Sequence, residues 1–260
     1  MPAEARVAER IHEVGGVEDT YVYPNMGDGG CGSDAGMNLS WPGGVSEPFE
    51  TAYLGPEFTA DELRAEIEKA GLPYGEPANL AAGLAKLIHE GSIVARFARR
   101  MEYGPRALGI RSTLYHGRDP GVNQWLNQRL GRTEFMPFAP VTLWEDREKC
   151  YFNLGGAEET AQFMTITFDC TDFMVESCPA AVHVDRTARP QLIKREMTPG
   201  YYDILAESKK LSGFPSLINT SFNMHEEPIV CTPSDAIRAF LLGNLEILAM
   251  GPFIVRRPAE

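Results

Sequence analysis

Residues 96–132 read RFARRMEYGPRALGIRSTLYHGRDPGVNQWLNQRLGR. Eight arginines stand there against two acids, Glu102 and Asp119, in a chain whose formal net charge is -12. The stretch is entered by Ser92–Ala98 (SIVARFA), whose alternation reads as a buried strand, and Gly104, Pro105 and Gly109 then turn the chain into a loop. Guanidinium is permanently charged and presents a planar fork suited to phosphate and carboxylate, so the stretch reads either as a site for a small polyanion or as a solvated basic face.

Working outward, the same α/β rhythm continues on both sides. Upstream, Val7, Ile11 and Val14 recur at helical spacing over 3–14, Thr20–Tyr23 reads as a short strand, and a glycine-rich loop follows at 25–32 (NMGDGGCG). Asp28 in that loop is a candidate for holding a metal or a ribose. Residues 41–58, rich in Pro and Gly, read as a linker. Thr59 and Glu62 form a capping box that opens a helix to about Ala70, and a second helix spans about Ala78 to Glu90.

Downstream, Asn123–Leu130 reads as a helix and Thr133–Leu143 enters a strand through two prolines. Phe163–Phe168, Ala181–Val184, Gln191–Lys194 and Ser216–Asn219 are further strands. Tyr201–Leu211 is a helix closed by Gly213. Thr232-Pro233-Ser234-Asp235 is a strong helix start, and Ile247–Met250 with Phe253–Arg256 end the chain as strands. Helices alternate with strands without a strict βαβ repeat, so the expectation is an α/β domain with a mixed sheet from about residue 59 onward.

Bulk numbers narrow the function classes. With 260 residues, 43% of them hydrophobic, the chain can bury a real core. Residues 1–90 hold sixteen acids against five bases, which excludes the extended basic surface that duplex nucleic acid requires. Five widely spaced cysteines with no CxxC pair speak against a disulfide framework or a structural zinc site and for reduced thiols in the cytoplasm. No apolar run reaches the roughly 18 residues of a membrane span.

Three other constellations could carry chemistry. In His183-Val184-Asp185-Arg186-Thr187-Ala188-Arg189, the H-x-D spacing places His183 and Asp185 on one face of a strand, as metal ligands or as a hydrogen-bonded structural pair. Asn219-Thr220-Ser221-Phe222-Asn223 puts hydroxyls and amides at a strand end, where they either bind phosphate oxygens or a small amide, or form an ordinary turn. His225-Glu226-Glu227-Pro228 offers an acid or base, or a solvated turn.

Taken together, MEYGPRALGIRS, RTEFMPFAP, HVDRTARPQ and NTSFN-MHEEPIV, with PNMGDGG and YLGPEF before them, closely resemble the C-terminal half of the O-carbamoyltransferases that modify nodulation factors and antibiotics. The resemblance covers essentially the whole chain. It implies a YrdC-like domain over 57–260, a mixed twisted sheet with flanking helices, preceded over 1–56 by the C-terminal tail and linker of an actin-like ATPase-type domain. The implied activity is activation of carbamoyl phosphate with ATP, carried with Mg2+, to carbamoyl-adenylate. The actin-like domain, holding an iron-type metal, then passes the carbamoyl group to a hydroxyl, presumed to be a sugar's.

Residue by residue, the resemblance places Arg106, Arg189, Ser221 and Asn223 in the activation site. It assigns Arg100, Arg111, Arg129, Arg132, Thr220 and Asp28 to cofactor binding, with Asp28 also the metal candidate. Two departures stand out. Many relatives carry Lys and Arg in a K-x-R-E-x-F-R-P-F-A-P pattern where this chain reads LGRTEFMPFAP with Met136 before the proline, so Arg129 or Arg132 is expected to substitute. The common glycine of HVDGTAR is Arg186 here. The expected metal histidines belong to an N-terminal half upstream of residue 1, which is the expected partner. A non-catalytic nucleotide-binding remnant dependent on that half is the alternative, and a metal-dependent hydrolase built on His183, Asp185 and His225 is the third reading.

Overall fold

The computed structural model describes residues 3–27, 29–32, 50–129 and 138–258. Its centre is an eight-stranded mixed sheet in the order β1-β10-β9-β2-β3-β8-β4-β7. The strands are β1 (Tyr74–Gly75), β2 (Val94–Phe97), β3 (Arg111–Tyr115), β4 (Ala139–Leu143), β7 (Gln191–Ile193), β8 (Ser216–Ser221), β9 (Ile247–Met250) and β10 (Phe253–Arg256). β2 runs parallel to β9 and β4 parallel to β7, while the other neighbours are antiparallel. A two-stranded ladder of β5 (Phe168–Asp169) and β6 (Thr187–Ala188) lies beside it.

Strand alternation explains how one sheet feeds two cores. On β9, Ile247 and Ala249 join one apolar cluster while Leu248 and Met250 join the other, and on β2 Val94 and Ala95 divide in the same way. One face is covered by α3 (Leu80–His89) and α5 (Pro199–Ser212), which bring Leu84, Ile88, Tyr201, Ile204 and Leu205 to it. The opposite face is covered by α2 (Ala60–Lys69), α4 (Val122–Arg129) and α6 (Pro233–Leu242), through residues such as Leu63, Ile67, Leu126, Ala236 and Phe240.

The punctuation read from the sequence sets the helix ends. Thr59 and Glu62 form the expected capping box, Thr232 forms another with Asp235, and Gly213 closes α5 with φ +79°. The strands expected at 247–250 and 253–256 occupy those residues.

Several expectations are corrected. Thr20–Tyr23 joins no sheet; it is an extended segment held by Thr20 N–H on Gly156 O (2.7 Å) and by the Thr160 hydroxyl. Of Phe163–Phe168 only Phe168 enters a ladder, because Thr165 and Thr167 direct their hydroxyls to Thr160 O and Ala5 O and the Thr167 amide also bonds Ala5 O. The α1 helix (Ala3–His12), to which Ala5 belongs, thus packs on downstream chain. Ala181–Val184 is a 3-10 turn running into a tight turn. The linker reading also fails over 52–56, since Gly55 N–H bonds Met101 O, Met101 N–H bonds Pro56 O, and Tyr103 N–H bonds Ala52 O. Strand β3 was not anticipated from the sequence.

Candidate functional site

The C-terminal end of β8 is the geometric focus. β8 lies between β3 and β4, with Asn219 opposite Leu114 on one side and Ala139 on the other, and Ser221 opposite Ser112. A cleft of about 70 Å³ opens there, lined by Arg106, Ala107, Arg189, Asn219, Thr220 and Ser221 among others. The loop preceding β3 supplies Arg106, and the connection from β6 to β7 supplies Arg189. Three segments distant in sequence therefore converge because β3, β8, β4 and β7 are consecutive in the sheet.

A buried carboxylate shapes the Arg106 loop. Glu102 Oε1 accepts the backbone N–H groups of Leu108 (2.6 Å), Ile110 (3.1 Å) and Arg111 (3.1 Å), folding residues 102–111 around itself. Gly109 makes the turn possible: its φ is +103°, and a Cβ there would stand 2.2 Å from the Tyr201 ring. Arg96 fastens the same turn by donating to Gly109 O, its guanidinium lying 5.4 Å over the Tyr201 ring. These contacts aim the intervening residues, Arg106 included, toward β8.

The electrostatics of the cleft are unusual. Arg189 is 8% exposed, its Nη1 has no hydrogen-bond partner among the described residues, and the same holds for the buried Nε of Arg106. Burial, and then the neighbouring Arg106 charge, push Arg189 down to about 9; burial also lowers Arg106. Glu4 on α1 opposes both shifts weakly, and no salt bridge from a carboxylate to either guanidinium is found among the described residues. Two desolvated cations facing one polar cavity make a site for an anion.

Not every expected site residue reaches it. Thr220 and Ser221 do. Asn223 does not line the cleft: its amide donates to Met224 O (3.0 Å) and Glu227 O (2.8 Å), and its oxygen accepts the Ser221 hydroxyl (2.7 Å), so it sets the Ser221 rotamer. Arg111 is fully buried on β3, donates to Ala98 O (2.6 Å) and stacks 3.7 Å over the Phe97 ring. Burial pushes it down to about 10, and its contacts tie loop to sheet outside the cleft lining. Arg100 is exposed and clamps the 54–55 segment through Leu54 O (2.8 Å) and Gly55 O (3.2 Å), away from the cleft. Asp28 and Arg132 lie outside the described residues, as does the side chain of Arg129.

The His183 segment is structural. His183 N–H bonds Thr187 O, Arg186 N–H bonds His183 O, and Asp185 accepts the Thr187 amide and hydroxyl, so His183 and Asp185 flank a tight turn instead of sharing a strand face. Arg186 takes φ +63° at its tip, the conformation that the expected glycine would adopt freely. His225 approaches Glu226 (3.9 Å) and does not join them. Among the described residues the one group of three ligating side chains is Glu9, Glu13 and Asp169, which includes none of the hydrolase candidates.

One side chain at the cleft escaped sequence reading. Gln191 is buried and bonded to the buried Asn219 (2.9 Å). Asn219 belongs to the polar run expected at a strand end, whereas Gln191 reads like any strand residue; the sheet order brings them together.

Comparison with known proteins identifies the family. The family model described as carbamoyltransferase C-terminus matches residues 85–257. The chain belongs to this family. Among its relatives, nodulation protein NolO of Bradyrhizobium diazoefficiens is 35% identical over 94% of this chain and 46% of its own length. An uncharacterised protein of Methanocaldococcus jannaschii is 33% identical over 92% of this chain and 40% of its own. The chain thus spans less than half the length of these relatives. Among solved structures it is similar to HypF of T. kodakarensis (TM-score 0.47, 17% identity, 78% of this chain and 27% of that one). A full-length HypF in phosphate- and nucleotide-bound form gives TM-score 0.44 and 17% identity over 66% of this chain and 21% of that one. No helix among the described residues is long and apolar enough to cross a membrane.

Proposed function

We propose that this chain is the activating part of a carbamoyltransferase, and that the cleft at the end of β8 binds carbamoyl phosphate and the phosphates of ATP. The observation that carries the reading is the half-buried Arg106 and the buried Arg189 around one polar cavity, with no carboxylate paired to either guanidinium among the described residues. ATP and carbamoyl phosphate together bring about six negative charges into contact, and fixed cations are what such a reaction requires. Carbamoyl phosphate loses its phosphate to water, giving carbamate. A carbamate oxygen then attacks the α-phosphorus of ATP, the α–β bridge bond breaks, and carbamoyl-adenylate and pyrophosphate result. Arg106 and Arg189 hold phosphoryl oxygens through these steps, the Thr220 hydroxyl orients the carbonyl end, and Ser221, whose proton goes to Asn223 Oδ1, accepts from the substrate.

Transfer to an acceptor hydroxyl, with a sugar as the acceptor class, is assigned to the further domain of the longer relatives, whose length exceeds this chain's more than twofold. The test is carbamoyl-phosphate-dependent exchange of labelled pyrophosphate into ATP. Exchange that needs both substrates supports the reading. Folded protein that binds ATP without exchange would make this chain a nucleotide-binding module instead.

A further inference from the structure

The side-chain amide of Asn219 carries information about the ligand that the arginines do not, and its meaning rests on the reading above. Asn219 is 2% exposed and lines the cleft. Its Nδ2 donates to Ala107 O at 3.0 Å and to Gln191 Oε1 at 2.9 Å. A backbone carbonyl can only accept, so the nitrogen must face Ala107 and the amide cannot be flipped. Gln191 is fixed by the same logic: its Nε2 donates to Leu108 O at 2.9 Å, which leaves Oε1 as the acceptor for Asn219. Both donors of the Asn219 amide are consumed, and its Oδ1 is buried with no partner among the described residues.

A buried amide oxygen without a donor costs about as much as the hydrogen bond it lacks, unless a ligand supplies the donor. The cations around this oxygen demand an anion, but an acyl phosphate such as acetyl phosphate carries no donor at its carbonyl end. We infer that Asn219 Oδ1 accepts an N–H from the ligand's NH2 group and is a specificity-determining residue. The cleft then selects a small anion that is also an amide, carbamoyl phosphate or the carbamate derived from it, over an acyl phosphate of the same size and charge. Gln191 is a positioning residue that, with Ala107 O, holds the amide in this orientation.

The experiment is calorimetric titration of the full chain with carbamoyl phosphate and with acetyl phosphate, which differ in an NH2 replaced by CH3. The wild-type protein is expected to bind carbamoyl phosphate on the order of tenfold more tightly, because a site built to bond an N–H rejects the analogue lacking it. Asn219→Leu is expected to bring the two ligands within about twofold. Gln191→Leu, which removes one of the two acceptors that fix the amide, is expected to shrink the preference without abolishing binding. Equal wild-type affinities, or a preference that survives in Asn219→Leu, would overturn the inference. The wild-type comparison stands even if a variant fails to fold. Pyrophosphate exchange without amide preference refutes the Asn219 role alone; a wild-type chain that neither binds these phosphates nor catalyses exchange refutes the activation reading and this inference together.

Discussion

Glu102 Oε1 accepts the backbone N–H of Arg111 at 3.1 Å, while the Arg111 guanidinium reaches Ala98 O at 2.6 Å at the end of the neighbouring strand. The carboxylate and the arginine thus clamp the two ends of the loop that carries Arg106. Removing the carboxylate strands three buried N–H groups, those of Leu108, Ile110 and Arg111. Glu102→Ala is therefore expected to lose about 3 kcal/mol of unfolding free energy in urea titration, the cost of several buried donors without partners. Glu102→Gln retains an acceptor and is expected to lose about half as much. An alanine variant as stable as wild type would show that the loop is held by other contacts.

Arg186 gives an opposite expectation. It stands at φ +63° at the tip of the His183–Thr187 turn, where a side chain is strained and glycine is not. Its guanidinium pairs with Asp172, but both groups are exposed, so that pair contributes little. Relief of backbone strain outweighs it. Arg186→Gly is expected to stabilise the protein by about 0.5 kcal/mol, read as a rise in thermal midpoint, with pyrophosphate exchange unchanged.

His183 supplies a pH dependence. Burial, opposed mainly by Asp185, pushes its pKa down to about 4, and its Nδ1 lies 3.0 Å from Thr187 Oγ1. The unfolded chain takes up a proton near the ordinary histidine value of about 6.5, whereas the folded chain does so only near 4. Between those values the unfolded state binds more protons, so stability falls as pH falls through this window and no more is lost below it. His183 is half-buried, and solvent screening reduces the effect to about 1–2 kcal/mol. Thermal midpoints measured from pH 7 to pH 4 are expected to fall more steeply for wild type than for His183→Gln. Parallel curves would remove His183 from the acid sensitivity.

The sequence was informative wherever local chemistry decided the outcome. Caps at Thr59 and Thr232, the Gly213 stop and the alternating strands at 247–256 depend on neighbours a few residues away, and they stand where the pattern placed them. β3 was hidden because its first residue, Arg111, reads as a solvated charge yet is fully buried over Phe97. Thr165 and Thr167 misled in the opposite direction: their β-branched side chains suit a strand, but their hydroxyls satisfy backbone carbonyls in a buried loop. At the cleft, the motifs named Arg106, Arg189, Thr220 and Ser221 and the polar run included Asn219, whereas Gln191 became visible only once β7, β4 and β8 lay side by side. Arg100 and Arg111 share the arginine stretch with Arg106 but are spent on backbone carbonyls. Charge density along the chain cannot separate such arginines from those left free.

That separation can be measured by ligand-induced stabilisation. In the free protein Arg106 and Arg189 repel each other, and burial makes their charges costly; a bound polyanion removes both penalties at once. Saturating pyrophosphate, at about 100 times its dissociation constant, is expected to stabilise the wild-type chain by about 2.7 kcal/mol through linkage alone. Arg189→Met and Arg106→Met each remove a cation from the cleft without introducing a carboxylate, and each is expected to abolish most of that shift. Their unliganded stability should equal or exceed that of wild type, because an uncompensated buried charge is gone. Arg189→Lys keeps the charge but loses the planar fork, and it should retain only part of the shift. Arg100→Met should respond to pyrophosphate as wild type does, because its guanidinium serves Leu54 O and Gly55 O. Arg111→Met should be less stable without ligand, since it strands the Ala98 carbonyl and the Phe97 stack, while its remaining folded fraction still responds. The two groups of arginines thus differ in sign: cleft variants lose the ligand shift and keep stability, whereas the scaffold variant Arg111→Met loses stability and keeps the shift. A pyrophosphate response that survives in both Arg106→Met and Arg189→Met would place the anion site elsewhere on the protein.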